Sequence, residues 1–228
     1  MLKAVILDLD GVLVKFNLDS RGIKEEVIGY FVKNGLMEGL LTTQDPFSMM
    51  RETVRSYFAD RDPEWVENLL KEAEKIAVEH EVKAAGVTEL LPNVRETLAA
   101  LKAMGLKLGL FTYNNSKAAM MAVRRHGIDG FFDAMVCRDE VKNPKPNPIH
   151  LDAVMKGLGV STDEVVCVGD SEMDIKPCKQ RGVKIVAVTT GVRDGKFLSV
   201  LEPDYMIDDL SELLDIVKKL LGESRSGS

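Results

Sequence analysis

Two carboxylates set two residues apart close the first apolar run of the chain, Ile6-Leu7-Asp8-Leu9-Asp10-Gly11-Val12. A strand carries residues i and i+2 on one side, so Asp8 and Asp10 are expected to aim at one point. Unpaired buried carboxylates are costly; such a pair holds a cation, shares a proton or does chemistry, unless the acids of the strand end simply face water. Further polar stretches end or follow three later apolar runs. These are Thr112-Tyr113-Asn114-Asn115, Asn143-Pro144-Lys145-Pro146-Asn147-Pro148 and Gly169-Asp170-Ser171-Glu172-Met173-Asp174. Brought together, these acids, the hydroxyl and the lysine form an inventory for handling phosphate beside a metal. Two like charges about 4 Å apart repel by roughly 4 kcal/mol at an effective dielectric of about 20. Asp8, Asp10, Asp170 and Asp174 are therefore untenable as an ionised, unpaired group. A divalent cation relieves them, and an all-oxygen donor set favours Mg²⁺ over zinc. Lys145 supplies positive charge opposite the metal, with Thr112 and Asn114 as neutral hydrogen-bonding groups.

Convergence of these stretches requires a scaffold whose strand ends share one edge. Apolar runs of strand length recur at Lys3–Leu9, Leu106–Phe111, Ala134–Cys137, Val165–Val168, Val183–Val188 and Tyr205–Ile207. The stronger ones are continuous rather than alternating, as strands buried on both faces of a parallel sheet require. Helical segments lie between them. Pro92 suits a first helical position, Asn147-Pro148 reads as a cap and first residue, and Ser161 to Glu164 has a capping-box pattern. Strand–helix alternation predicts a doubly wound α/β sheet, and in open parallel sheets ligands bind beyond the carboxyl ends of the strands.

One interval breaks the rhythm. From Lys15 to about Leu90 no convincing strand occurs. Asp62-Pro63 opens a run with Trp65, Leu69, Leu70, Ala73, Ile76 and Ala77 at helical spacing, Asp45-Pro46 repeats the start signal, and Ile23, Val27, Tyr30 and Phe31 form an earlier amphipathic stretch. The interval exceeds an ordinary crossover. The expected organisation is an α/β core from 1–14 and 91–222, a small helical domain over 15–90, and a flexible tail over 223–228.

The chain has 228 residues, 45% of them hydrophobic and 29% charged, which fits an ordinary globular protein with a sizeable core. A net charge of −6 argues against a nucleic-acid partner. No apolar run reaches the length of a membrane span, and no signal-peptide pattern is present. Cys137, Cys167 and Cys178 match no zinc spacing, and Cys167 sits in an apolar run as a buried thiol. A cytoplasmic protein, monomeric or homodimeric, is expected.

Taken together, these residues resemble the haloacid dehalogenase-like (HAD) phosphohydrolase superfamily. Its first motif, DxDG[TV], is matched by Asp8-Leu9-Asp10-Gly11-Val12. Its second, a Ser or Thr ending an apolar strand, is matched by Thr112. Its third, a Lys ahead of a helix and often KPxP, is matched by Lys145-Pro146-Asn147-Pro148. Its fourth, GDxxxD, is matched by Gly169 and Asp170 through Asp174. Each motif alone is weak to moderate, while the set in order is specific. The resemblance implies a Rossmannoid parallel sheet with a helical C1-type cap, hinged at Leu13–Lys15 and near Leu90. It implies Asp8 as nucleophile forming an aspartyl-phosphate and Asp10 as general acid and then base. It implies Mg²⁺ bound by Asp8, the backbone carbonyl of Asp10 and Asp170, with Asp174 as ligand or outer acceptor. Thr112, Asn114 and Lys145 would bind the phosphoryl group of a small phosphate ester. The chain departs from the family at Tyr113, where Asn commonly follows the hydroxyl residue, and at Lys15, where many relatives carry Asp.

The function expected from this resemblance is hydrolysis of a small phosphorylated metabolite, phosphoglycolate-like or sugar-phosphate-like. A phosphomutase of the β-phosphoglucomutase kind is the rival, since it uses the same residues. A dehalogenase or phosphonate hydrolase has no need of Asp10 as an acid, and a receiver-type signalling switch lacks the long helical insert. Other residues take plainer expectations. His80, His126 and His150 read as surface or interface residues, Met49-Met50 and Trp65 as core of the helical insert, Arg51 and Arg55 as a solvated face, and Thr189-Thr190-Gly191 as a turn in preference to a further lining of the same edge.

Overall fold

The computed structural model describes residues 1–15 and 17–223. Its strands are β1 (Ala4–Leu7), β2 (Lys107–Phe111), β3 (Ala134–Val136), β4 (Val165–Gly169), β5 (Lys184–Val188) and β6 (Tyr205–Ile207). They form one six-stranded sheet in the order β3-β2-β1-β4-β5-β6, and every neighbouring pair is parallel. Every residue of β1 and β4 is buried, which is why those runs are continuously apolar. The strand order grows to one side of β1 through β2 and β3 and to the other through β4, β5 and β6. The crevice beyond β1 and β4 is therefore the topological switch point, where ligands of open α/β sheets bind.

Helices cover both faces. Alternation along the strands turns Ala4, Ile6, Cys167 and Ile185 towards α6 (Pro148–Leu158) and α7 (Glu172–Arg181), where they pack with Val154, Leu158, Ile175 and Cys178. On the opposite face α4 (Val94–Ala103) packs on β2 and on α9 (Leu213–Glu223). The remaining helices of this unit are α5 (Ser116–Arg125) and α8 (Gly195–Val200). Asn147 caps α6, accepting from the Ile149 amide at 3.0 Å, with Pro148 in the first turn. Ser161 departs from the sequence reading. Its capping box closes only a 3₁₀ turn, Thr162–Glu164, because the β-branched run that follows at once is claimed by β4.

The chain divides into two compact units, Asn17–Ala84 and the segments flanking it. The first contains α1 (Ser20–Lys33), α2 (Phe47–Tyr57) and most of α3 (Pro63–Val87), and its described residues include no strand. Ile23, Val27, Phe31, Met50, Val54 and Leu69 form its core at helical spacing. Met50 is buried, but Met49 is 49% exposed, since neighbouring helix positions point about 100° apart. Trp65 is also partly exposed, its edge resting on Phe58 at 5.1 Å, so neither Met49 nor Trp65 belongs to the core as expected. Arg51 and Arg55 face solvent and pair with Glu74 and Glu67. In the flanking unit, Val14 bridges Leu90, the Lys15 amide donates to the Glu89 carbonyl at 2.9 Å, and the Leu91 amide donates to the Leu13 carbonyl at 2.9 Å.

Among the described residues no helix is long and apolar enough to cross a membrane. The flexible tail expected over 223–228 lies, from residue 224 on, outside the described residues; Glu223 closes α9.

Candidate active site

Asp8 is the first residue past β1. Its amide still donates to the Val168 carbonyl of β4 at 3.0 Å, which fixes the backbone at the sheet edge. The register Leu7↔Leu110 sets Asp8 level with Phe111 on one side, and Leu7↔Val168 sets it level with Gly169 on the other. The strand has ended before Asp10, so simple alternation does not govern that residue. Gly11 turns the chain with φ +76°, and Asp10 pairs with Val14 in an isolated bridge. Only glycine takes that conformation cheaply, and a Cβ at residue 11 would stand 2.6 Å from Asp170 Oδ2.

Lys145 reaches the same point from the loop after β3. Its Nζ lies 2.7 Å from Asp8 Oδ1, 2.6 Å from Asp174 Oδ1 and 2.9 Å from the Phe111 carbonyl, with 2% of the side chain exposed. Its charge also sits 4.7 Å from the centre of the Phe111 ring. Asp174, in the first turn of α7, spends both oxygens within the protein. Oδ1 takes Lys145, and Oδ2 accepts from the Ser171 amide at 3.2 Å and the Ser171 hydroxyl at 2.8 Å. Asp174 thus completes a capping box and holds the lysine at once. Asp170 follows β4 directly, and its Oδ2 accepts from the Val192 amide at 2.7 Å.

Ligand oxygens of Asp8, Asp170 and Asp174 lie within 4.8 Å of one another, and all three residues are buried. Three negative charges against the one ammonium leave −2 if all are ionised. With 4.8 Å as the upper limit of separation and a dielectric of about 20, each ionised like pair costs at least about 3.5 kcal/mol. The protonation equilibria register that strain. Burial pushes the Asp8 carboxyl well up, Lys145 opposing and Asp174 and Asp170 adding to the rise. Burial and the charge of Asp174 push Asp170 up to about 6. Burial works against the ammonium of Lys145, yet Asp174 and Asp8 outweigh it and hold the pKa above the ordinary lysine value. Hard oxygen donors with this uncompensated charge suit a divalent cation such as Mg²⁺.

The neutral groups line up beside these charges. Thr112 is buried at the end of β2, and its Oγ1 accepts from the Asn114 amide at 3.1 Å. Asn114 Nδ2 donates to Asp10 Oδ2 at 2.6 Å, tying the second motif to the first. Tyr113 turns away to a partly exposed position under the Arg138 guanidinium, 5.4 Å from the ring. Asp8, Lys145, Asp170 and Asp174 thus form one buried cluster. Asn114 joins Asp10, and Thr112 stands at the neighbouring strand end.

Two contacts go beyond what the sequence predicts. Thr190 is more than a turn residue, for its hydroxyl donates to the Gly11 carbonyl at 2.6 Å. With the Val192 amide it makes the loop after β5 a brace for both the first and the fourth motif. His150, expected at a surface, is fully buried and bonded to the Lys145 backbone. Its one legible signal was the position, three residues into a helix that follows the lysine.

A haloacid dehalogenase-like hydrolase family model matches residues 5–188. The chain belongs to this family, and it is a phosphatase enzyme with the family's Rossmannoid parallel sheet. It is 32% identical over 218 residues to pyrophosphatase PpaX of Halalkalibacterium halodurans, spanning 95% of this chain and 97% of that protein. Solved structures share the fold. A β-phosphoglucomutase from Clostridium difficile superposes with a TM-score of 0.68 at 20% identity, over 99% of this chain and 100% of the other. A structure described as a predicted phosphoglycolate phosphatase from Haemophilus somnus gives 0.66 at 22% identity, over 95% and 98%.

Proposed function

We propose that the chain is a Mg²⁺-dependent phosphatase of small phosphorylated metabolites, acting through an aspartyl-phosphate on Asp8. The observation that carries this reading is the buried Lys145 ammonium, bonded to Asp8 and Asp174 beside a third carboxylate, Asp170. Asp8 Oδ1 is held by Lys145 and by the Leu9 amide at 2.7 Å, which leaves Oδ2 to attack phosphorus. The phosphorus–oxygen bond to the leaving group breaks in line, and Asp10 gives that oxygen its proton. Asp10 then takes a proton from the water that hydrolyses the acyl-phosphate, returning free phosphate and the Asp8 carboxylate. Asn114, bonded to Asp10, orients it through both half-reactions. Lys145 and Thr112 hold phosphoryl oxygens, a preorganised arrangement that supplies much of the barrier lowering in such sites.

Asp8, the Asp10 backbone carbonyl and Asp170 would hold the Mg²⁺. Asp174, its oxygens given to Lys145 and Ser171, serves as the outer acceptor. When bound, the ion offsets the carboxylate charge and polarises the phosphoryl group. The helical unit Asn17–Ala84 is read as the cap that sets specificity.

Phosphoglycolate-like and sugar-phosphate-like monoesters are the substrates this reading names. Inorganic pyrophosphate is a second candidate, supported by 32% identity along nearly the whole length of a protein named as a pyrophosphatase. A panel of monoesters and pyrophosphate, assayed with Mg²⁺ and with chelator, tests the reading. Phosphate release that needs Mg²⁺ and vanishes in Asp8→Asn is the expected result. Sugar-phosphate isomerisation without net phosphate release would replace the reading with a phosphomutase. Turnover unaffected by chelator would remove the metal from it.

A further inference from the structure

His150 takes no part in the chemistry above, yet it is fully buried beside it. It is the third residue of α6, the position from which a capping-box side chain reaches back to the start of its helix. His150 reaches further. Its Nδ1 accepts from the Lys145 amide at 3.1 Å, two residues ahead of the capping Asn147. Nε2 lies 3.0 Å from the Val136 carbonyl. A carbonyl oxygen only accepts, so Nε2 carries the hydrogen and Nδ1 is the bare nitrogen. That same carbonyl takes the Thr112 amide at 3.4 Å. The imidazole also stands edge-on to the Phe111 ring at 4.7 Å and 71°. Phe111 in turn meets Lys145 Nζ with its carbonyl and its ring. One neutral ring thus joins the lysine loop, the end of β3 and the end of β2.

We propose that His150 is a positioning residue for Lys145, fixing the backbone of the lysine so that its ammonium falls between Asp8 and Asp174. The residue type follows from the charges. A glutamate, the usual residue for reaching back at this position, would add a fourth carboxylate to a cluster that already sets three against one ammonium. A cation would repel the lysine. A neutral imidazole accepts at one nitrogen and donates at the other without altering the balance. Burial pushes its pKa down to about 4, against the opposing pull of the Val136 carbonyl, which keeps it in that form.

This inference rests on the role given to Lys145 above, and three variants separate the two. Asn at residue 150 places its carbonyl oxygen where Nδ1 stands, so His150→Asn keeps the bond to Lys145. His150→Gln places its amide nitrogen where Nε2 stands and keeps only the bond to Val136. His150→Phe keeps neither. The readouts are kcat and KM for Mg²⁺-dependent hydrolysis of p-nitrophenyl phosphate, together with hydrogen exchange of the Lys145 amide. A displacement of about 1 Å can cost about 100-fold in rate. His150→Phe and His150→Gln should lose kcat on about that scale, with KM changing far less, while His150→Asn recovers most of it. The Lys145 amide should exchange faster in Phe and Gln but not in Asn. Equal kcat in all folded variants, or an Asn variant as slow as Gln, would overturn the proposal. If His150→Phe fails to fold, the Asn–Gln pair decides. If the wild type shows no Asp8-dependent turnover, the functional reading falls. Lys145 amide exchange then decides the bracket by itself, with equal protection in Asn and Gln refuting it.

Discussion

In the helical unit Arg55 Nε stands 2.9 Å from Glu67 Oε1, with 44% and 47% of the two side chains exposed. At the sheet edge Lys145 Nζ stands 2.7 Å from Asp8 Oδ1, with 2% and 9% exposed. The lengths are nearly the same and the surroundings are not. Water solvates and screens the first pair, and such exposed pairs contribute about 0.2–1 kcal/mol. The second has exchanged water for Asp174, Asp170, a carbonyl and an aromatic face, and its protonation equilibria are displaced accordingly. Distance alone therefore does not separate the two pairs. Burial, together with charge that the neighbours leave unbalanced, does.

The sharpest break in this comparison is Asp8→Asn. The amide of Asn has no carboxylate oxygen to take the phosphoryl group as an acyl-phosphate, so kcat should fall by at least about 10⁴-fold while the fold persists, measured as phosphate release and circular dichroism. Lys145→Met should come next. It strands three buried carboxylates, and removing one partner of a buried pair costs about 3–5 kcal/mol. Denaturant unfolding without added Mg²⁺ should register that loss, and unchanged stability would mean the cluster is not strained.

His150 supplies the pH arm. Its folded pKa of about 4 lies below the ordinary 6.5, so the folded protein favours the neutral ring. Its contribution is complete above pH 6.5 and is lost as the pH falls towards 4, where the unfolded chain takes up the proton first. The span corresponds to roughly 3 kcal/mol. Lys145 and Asp174 face the ring with opposite charges, and the raised Asp8 and Asp170 slope the other way. The measurement is therefore the difference between wild type and His150→Phe in unfolding free energy from pH 7 to pH 4, which should narrow as the pH falls. Arg55→Ala completes the series with a loss below about 1 kcal/mol, further reduced by salt. A larger loss would dissolve the contrast between the two pairs.

Much of the sheet was legible in the sequence because burial on both faces leaves an unbroken apolar run, and the polar residues that stop each run are those placed at the edge. Asp8, Thr112 and Asp170 follow from that rule directly. Lys145 and Asp174 were legible through motif spacing, but their mutual bond was not, since no periodicity encodes a contact between a loop and a helix 29 residues later. Asp10 was placed by strand alternation, although the strand ends before it and Gly11 turns the chain. The bonds made by His150 and Thr190 were not legible, for a shared reason. Each acts by binding a backbone group in another segment, and hydropathy patterns record which face is buried rather than where a polar atom finds its partner. Trp65 and Met49 show the converse error, large apolar side chains left partly exposed by their angular position on a helix.

Gly191 stands so close to Asp170 that a Cβ there would collide with the carboxylate, and the next amide, that of Val192, holds the same oxygen. The smallest possible alteration at residue 191, a single methyl group, would evict an acid from the heart of the molecule. Efforts to broaden the substrates this enzyme accepts must leave that corner untouched and vary residues elsewhere.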